Sequence, residues 1–444
     1  MLSAKTFRGG VHPAEHKEIS LSRPVEHYIP RGDMVFPISQ HIGKPAKPVV
    51  AKGDPVLAGQ VIAEADGFVS ANVISSCSGT VKAIEQRMLA SGSHAMCIVV
   101  ENDGKFTPAP GIGEVRDAAS VSNRDILDAI KAAGIVGLGG AGFPTHVKLQ
   151  PKDIDAIDYV IANGCECEPY ITCDDRLMQD ENRAIFEGIQ LVLQLFPNAK
   201  GIIAIEENKP EAIKSMSAVC AGENAVWVQP VKTKYPQGGE RNLISVIAGK
   251  DIRVGQLPAD VGCVVLNVST LYAIYRAVCH SEPLMERYFT VTGDAVASPR
   301  TVIAKMGTSY RELVEAAGGI KEGASAKKVL SGGPMMGISV SSLDIPVCKA
   351  NNALTLLAED EVEIAQTKMT ACIRCGRCTR VCPIHLLPQM MSEAVEHRDF
   401  ERFEKLYGMD CFACGSCTYI CPARRPLMQQ FKMAKAVVLA NRKK

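Results

Sequence analysis

Two cysteine runs carry the densest chemistry in this chain. They are CIRCGRCTRVCP, with Cys372, Cys375, Cys378 and Cys382, and CFACGSCTYICP, with Cys411, Cys414, Cys417 and Cys421. Both read C-x2-C-x2-C-x3-C-P, a spacing in which three thiolates wrap one corner of a cubane and the fourth reaches the neighbouring cluster. The runs therefore predict two [4Fe–4S] clusters with crossed ligands: Cys372, Cys375, Cys378 and Cys421 on one, Cys382, Cys411, Cys414 and Cys417 on the other. Structural zinc also uses C-x2-C pairs, but it would leave the third and fourth cysteine of each run, and Pro383 and Pro422, without a role. Gly376 and Gly415 suit a backbone that must pass close to a cluster and donate N–H groups to its sulfurs. Two clusters imply single-electron wiring.

Other candidates are weaker. Cys165, Cys167 and Cys173 crowd together in ANGCECEPYITCDD with no evident fourth ligand, and the remaining cysteines (77, 97, 220, 263, 279, 348) read as small buried apolar residues. His12-Pro-Ala-Glu-His16 spells an inverted zinc-protease pattern, which needs both His on one helical turn. Pro13 and the Gly9-Gly10 pair argue against a helix there.

GIVGLGGAGFPTHVKL (134–149) packs glycines into a short turn ending in Lys148. Such a turn lets backbone N–H groups approach a phosphate, with the lysine as counter-charge. Gly137, Gly139 and Gly142 spell G-x-G-x-x-G, but the dinucleotide fingerprint needs a strand before it and DILDAIKAAG reads as a helix. The letters alone leave a phosphate cradle and a plain loop both open.

The elements that must hold these groups fall into four zones. Residues 1–125 are Gly- and Pro-rich with short β-branched runs, an all-β reading; GDPVLAGQVIAEADGFVSANVISSCSGTVKAI (53–84) has the two-hairpin rhythm of biotinyl and lipoyl carriers without their tip lysine. Residues 126–284 alternate helical and strand patterns (DILDAIKAAG, DYVIANG, ENRAIFEGIQLVLQLF, KGIIAIEE, CVVLNV), which indicates βα units around a parallel sheet. Residues 285–350 return to short strands with one helix, YRELVEAAGG, a compact α+β module. Residues 351–444 are mostly helical around the cysteine runs and end in a basic NRKK tail that reads as solvated.

Composition removes several functions. Of 444 residues, 49 are Lys or Arg and 48 Asp or Glu, a formal charge of +1. Phosphate-backbone binders usually carry a strong basic excess, so no nucleic-acid partner is expected. The N-terminal residues have no apolar signal core, which points to the reducing cytoplasm, where clustered thiols bind metal rather than pair. No run reaches the ~20 apolar residues of a membrane span; the nearest, 261–278, carries Asn267, Ser269 and Arg276 and reads as a strand entering a helix.

A resemblance adds to this. GLGGAGFPTHVK is similar to the flavin loop of the NADH-oxidising flavoprotein subunit of respiratory complex I. NGCECEP (163–169), YPQGGE (235–240) and LNVSTL (266–271) resemble three further motifs of that family in the same order. Over nearly its full length, from FRGGVHP (7–13) through ECEPYITCDDRLM to both cysteine runs, the chain resembles the RnfC family, a component of the Rnf-type ion-translocating electron transport complex.

The resemblance implies four parts: an N-terminal β-rich barrel-sandwich hybrid, a Rossmann-like FMN and NADH domain, a β-grasp module of the SLBB type, and a helical ferredoxin-like domain. It implies that Gly137, Gly139, Gly140, Lys148, Asn163, Glu166, Tyr235, Asn267 and Thr270 line non-covalent FMN. Phe143, Glu168 and Glu240 match positions that contact NADH, and Glu240 and Glu166 would stand nearest the hydride chemistry. Cys165, Gly239 and Leu266 depart from the family's Asp, Glu and Asn. The implied reaction is ferredoxin:NAD+ oxidoreduction coupled to Na+ or H+ movement. The chain would be a peripheral subunit on the cytoplasmic face, beside membrane and ferredoxin-like subunits that carry the ion path, and would reach ferredoxin indirectly. The alternative is a soluble flavin and iron–sulfur reductase serving a corrinoid or another enzyme, or a scaffold with structural clusters. The related cobalamin reductase begins at its flavin domain, so the FRGGVHP head favours the Rnf reading.

Overall fold

The computed structural model describes residues 3–253 and 255–442, so the last two lysines of the basic tail lie outside it. The N-terminal part packs two small antiparallel sheets. One has the order Met34–Pro37, His94–Asn102, Gly79–Met88, Pro55–Val56, and the other Lys47–Pro48, Val61–Glu64, Val73–Ile74. Alternating side chains such as Met34, Phe36, Ile62, Val81, Ile98 and Val100 fill the space between them.

The second part is a four-stranded parallel sheet in the order Val226–Val231, Lys200–Glu206, Tyr159–Gly164, Cys263–Asn267. Its strands are apolar runs buried on both faces, as a sheet covered by helices on each side requires. The preceding helix, Asn123–Ala132, starts in a reciprocal capping box between Ser122 and Asp125. The segment 261–278 does turn from a strand, Cys263–Asn267, directly into a helix, Val268–His280.

The third sheet is wider than its local sequence suggested. It has six strands, and two come from outside 285–350: Glu26–His27 pairs in parallel with Arg300–Lys305, and Ala353–Leu357 pairs with both Glu286–Thr292 and Lys328–Ser331. The boundary expected at 350 therefore precedes a central strand of this module. Glu26 pairs with Val302 and Thr290 with Ala353, pairings between segments well separated along the chain that have no local signature.

The C-terminal part is helical, with Met391, Phe403, Leu427, Phe431 and Ala434 as its core. The segment Phe7–Val11 forms a strap between it and the parallel sheet. Val11 exchanges both backbone hydrogen bonds with Tyr235, at 2.8 and 2.9 Å, and Gly10 N–H donates to the Val381 carbonyl at 2.8 Å. Gly9 and Gly10 adopt positive φ, and a Cβ would strike the carbonyl of Cys382 on Gly9 at 2.9 Å and that of Tyr235 on Gly10 at 2.7 Å. No described helix is long and apolar enough to cross a membrane.

Candidate functional site

The two cysteine runs fold into similar loops, each turning into a short helix at a left-handed glycine: Gly376 before Arg377–Val381 and Gly415 before Ser416–Tyr419. Folding brings the fourth cysteine of each run to the other run's triplet. Cys382, Cys411, Cys414 and Cys417 line one cavity with Pro383, Ile384, Met391, Phe412 and Phe431. Burial pushes the Cys411 thiol up to about 11, and the Cys414 and Cys382 thiols beside it add to the rise. At the other end, burial raises Cys378, and Cys421 and Cys372 stand close enough to raise it further by their charge. Four soft thiol donors converging on an apolar pocket suit a cubane, whose iron stabilises the thiolates that burial alone disfavours. Cys372 and Cys375 are exposed, whereas Cys382 and Cys414 are buried.

The glycine turn sits beyond the carboxyl ends of the parallel strands, where ligands of open α/β sheets bind. Gly137 N–H donates to the Phe143 carbonyl at 2.9 Å, closing the loop, and Leu138 N–H donates to the Thr270 hydroxyl at 3.0 Å. Gly139 lies against Asn267, whose side chain a Cβ would meet at 2.8 Å. Gly139 and Gly140 are exposed, with open space above Gly140. Phe143 is half-buried at the far side of the turn. Lys148 ends the short helix Thr145–Lys148 and pairs with Glu240 at 2.6 Å, which opens the helix Glu240–Ala248. Free backbone N–H groups, a lysine and two helix starts around one rim fit a flavin phosphate.

Asn163 spans the strand end and the YPQGGE loop: its Nδ2 donates to the Gly238 carbonyl at 2.9 Å and its Oδ1 accepts from Cys165 N–H at 3.1 Å. Asn267 caps its helix by accepting from Ser269 N–H at 2.8 Å and donates to Asp174 at 2.7 Å.

The acidic residues of the NGCECEP segment point inward. The Glu166 carboxylate accepts from Asp174 N–H at 2.8 Å, from Asp175 N–H at 3.4 Å and from the Cys173 thiol at 3.3 Å, so it anchors the start of the helix Cys173–Asp180. Glu168 accepts from Met335 N–H at 3.0 Å and Met336 N–H at 2.7 Å, both on the third module's SGGPMMG loop. Burial raises both carboxyls to about 7. Cys165 and Cys173 are buried and Cys167 half-buried; burial raises all three thiols.

Tyr235 joins the two regions. It is buried beside Val11, Cys167, Met335 and Phe412, and its hydroxyl donates to the Cys414 carbonyl at 2.6 Å. Arg241 and Asp410, 3.6 Å apart, make a second link.

Several residues here carried no sequence signal of their own. Buried Lys17 donates to the Glu168 and Ile171 carbonyls at 2.9 and 2.5 Å. Buried Lys209 pairs with buried Glu206 at 3.0 Å, and their i,i+3 spacing was the only hint. Asp174 stood within the ECEPYITCDDRLM match, yet its hydrogen bonds to Asn267 and Ser269 appear only in the fold. Phe68, at a tip of the N-terminal sandwich, packs edge-on to His146 beside the glycine turn.

Four family models match in order: the RnfC barrel sandwich hybrid domain over residues 5–105, the Nuo51 FMN-binding domain over 130–276, the SLBB domain over 288–339 and the 4Fe-4S dicluster domain over 346–424. The chain is 43% identical over 389 residues to the RnfC component of the proton-translocating ferredoxin:NAD(+) oxidoreductase complex of Clostridium ljungdahlii, covering 87% of this chain and 84% of that protein. It is 40% identical to the corresponding component of the Na(+)-translocating complex of Acetobacterium woodii, covering 99% and 98% of the two chains. Among solved structures, an NAD+-reducing [NiFe]-hydrogenase superposes with a TM-score of 0.52 at 20% identity, over 75% of this chain and 69% of that one, a likeness of fold.

Proposed function

This chain belongs to the RnfC family, one of the components of ion-translocating ferredoxin:NAD(+) oxidoreductase complexes, and on that premise we propose that it is the NAD(H)-reactive, electron-relaying subunit of such a complex. FMN, when bound, supplies the exchange between a two-electron hydride and single electrons, and two [4Fe–4S] clusters supply the one-electron relay. The chain's own residues do the rest. Gly137, Gly139 and Gly140 offer backbone N–H groups and Lys148 a positive charge to the flavin phosphate. Asn163, Asn267 and Thr270 hold the rim at a fixed distance from the sheet. Glu240, exposed beside Lys148, and the half-buried Phe143 would meet the dinucleotide. Glu166 acts as a positioning residue through its grip on the Cys173–Asp180 helix, and Glu168 holds the SGGPMMG loop against the site.

Cys382, Cys411, Cys414 and Cys417 would ligate one cluster and Cys372, Cys375, Cys378 and Cys421 the other. The observation that carries this reading is the contact of Tyr235, in the flavin loop, with Cys414. On this reading the cluster of Cys382, Cys411, Cys414 and Cys417 would lie on the flavin side, and the other cluster, whose Cys372 and Cys375 are exposed, on the outer side. Membrane and ferredoxin-like subunits are the proposed neighbours, with the chain peripheral on the cytoplasmic face and the ion path in those neighbours.

Anaerobic reconstitution with iron, sulfide and FMN tests the proposal. The chain should retain flavin, and NADH should bleach the cluster absorbance. Loss of flavin on desalting together with unbleached clusters would leave only a scaffold. Binding to membranes that contain the other subunits would separate this role from that of a soluble reductase.

A further inference from the structure

Two buried cations of the third module, Arg287 and Lys349, reach the glycine turn from its inner side; they are 3% and 1% exposed. Arg287 donates to the Leu138 carbonyl at 3.2 Å, and also to the carbonyls of Tyr288 and Lys349. Lys349 Nζ donates to the Gly134 carbonyl at 2.6 Å and to that of Asn72 on the N-terminal sandwich. Gly134 opens the turn at a φ of +65°, where a Cβ would meet the Asn72 carbonyl at 2.4 Å. Among the described residues, every hydrogen bond that these two side chains donate ends on a backbone carbonyl. A carbonyl oxygen carries only partial charge, and burying a full charge without a counter-ion is costly. The other buried lysines have acids at hand, since Glu206 and Glu166 act on both Lys17 and Lys209. Asp174 acts on Arg287 through space, but its two oxygens are already engaged by Asn267 and Ser269. The titratable groups around Lys349 are His41 on the sandwich, Arg287 on its strand and Cys348 on its own segment, none of them a carboxylate.

We propose that Arg287 and Lys349 are positioning residues for the FMN phosphate: they pin the Leu138 and Gly134 carbonyls inward and place beneath the turn positive charge that the phosphate answers. This role rests on the reading of the glycine turn as the flavin phosphate site, and it gives the third module a part in that site. In a trans peptide the carbonyl and the following N–H point in opposite directions. With the Leu138 carbonyl drawn inward to Arg287, the Gly139 N–H is aimed at the exposed side of the turn. Lys148 would meet the phosphate from the rim, whereas the two buried cations act through the turn. Burial lowers Lys349 to about 7, so it is mostly neutral at pH 8. A nearby anion favours the ammonium, and a phosphate monoester, with a second pKa of about 6, is already dianionic at that pH. Binding FMN at pH 8 therefore transfers a proton from buffer to Lys349 Nζ. Riboflavin, which has no phosphate, leaves Lys349 as it is. A lysine that merely stapled the three modules together would hold the turn alike for both flavins.

The test uses the full chain, reconstituted with iron and sulfide and titrated with FMN and with riboflavin by calorimetry at pH 8, in two buffers of different ionisation enthalpy. The wild-type chain should bind FMN more tightly than riboflavin and take up close to one proton with FMN and none with riboflavin. Lys349→Met, similar in length and uncharged, should lose the proton uptake and about tenfold of the preference for FMN, with little change for riboflavin. Arg287→Met should lose preference for FMN while keeping the proton uptake, and Arg287→Lys should recover part of that loss. Equal proton uptake with the two flavins in the wild-type chain would overturn the proposal, as would an equal loss of both flavins in Lys349→Met. Should Lys349→Met fail to fold, the proton count of the wild-type chain decides by itself. Binding of neither flavin by the wild-type chain would instead sink the reading of the turn as a flavin site.

Discussion

The Tyr235 hydroxyl donates to the backbone carbonyl of Cys414 at 2.6 Å, inside a buried cluster that includes Val11 and Met335. One hydrogen bond thus ties the loop after a strand of the parallel sheet to a cysteine loop more than 170 residues later. The N-terminal strap adds backbone bonds on both sides of the same joint. Removing the hydroxyl strands a buried carbonyl, so Tyr235→Phe should cost about 1 kcal/mol. Urea unfolding of the reconstituted chain reads this directly; a midpoint equal to wild type would show that the strap alone holds the joint.

The crossed arrangement of thiols gives a prediction that runs against sequence order. Cys421→Ala should disturb the cluster of Cys372, Cys375 and Cys378, and Cys382→Ala the cluster of Cys411, Cys414 and Cys417. Iron analysis with EPR on each variant checks it. Loss confined to the cluster of the mutated residue's own run would refute the crossing.

Lys148 and Glu240 form a part-exposed pair at 2.6 Å, a geometry worth at most about 1 kcal/mol to stability. Lys148→Ala should therefore leave the melting temperature nearly unchanged while weakening FMN retention at least tenfold. Glu240→Gln should keep the flavin and all iron but impair NADH:ferricyanide activity. Equal flavin retention in Lys148→Ala and wild type would remove the lysine from the phosphate site.

Glu168 and Glu166 are held near 7 by burial, above the ordinary carboxyl value of 4.5. A raised folded-state value means that the folded chain holds these protons more tightly than the unfolded one. The stability they confer is full below about 4.5 and is lost as pH rises through about 7. Unfolding midpoints should fall between pH 5 and pH 8, and Glu168→Gln, which stays neutral, should flatten part of that fall. An unchanged slope in the variant would place the titration elsewhere.

Lys209 and Glu206 are buried and 3.0 Å apart. Burial alone would lower the lysine, but Glu206 and Glu166 outweigh it and hold the ammonium charged. Lys209→Met leaves Glu206 as an uncompensated buried charge, so it should cost about 3–5 kcal/mol. Lys209→Met/Glu206→Gln should recover much of that loss in chemical denaturation, and no recovery would mean that packing, not charge, is what Lys209 supplies.

Much of this was readable along the chain. Eight cysteines with fixed spacing and a trailing proline specify a cluster fold by themselves, because ligand geometry is short-range and tolerates few alternatives. The parallel sheet was legible for the same kind of reason, since runs such as KGIIAIEE and CVVLNV are apolar enough to be buried on both faces. The tertiary structure decided what depends on contacts between distant segments. Ala353–Leu357 joined the third sheet across an expected boundary because strand pairing depends on a partner the local sequence does not contain. Glu166 and Glu168 match one short motif, yet one grips a helix start and the other a loop of a different module. Carboxylates find whichever N–H groups the fold leaves unpaired beside them. The spacing of the two runs already predicts that Cys382 and Cys421 cross over, but only the packing of the two loops puts Cys382 into one cavity with Cys411, Cys414 and Cys417, because segments that share a pattern become neighbours through tertiary contacts alone.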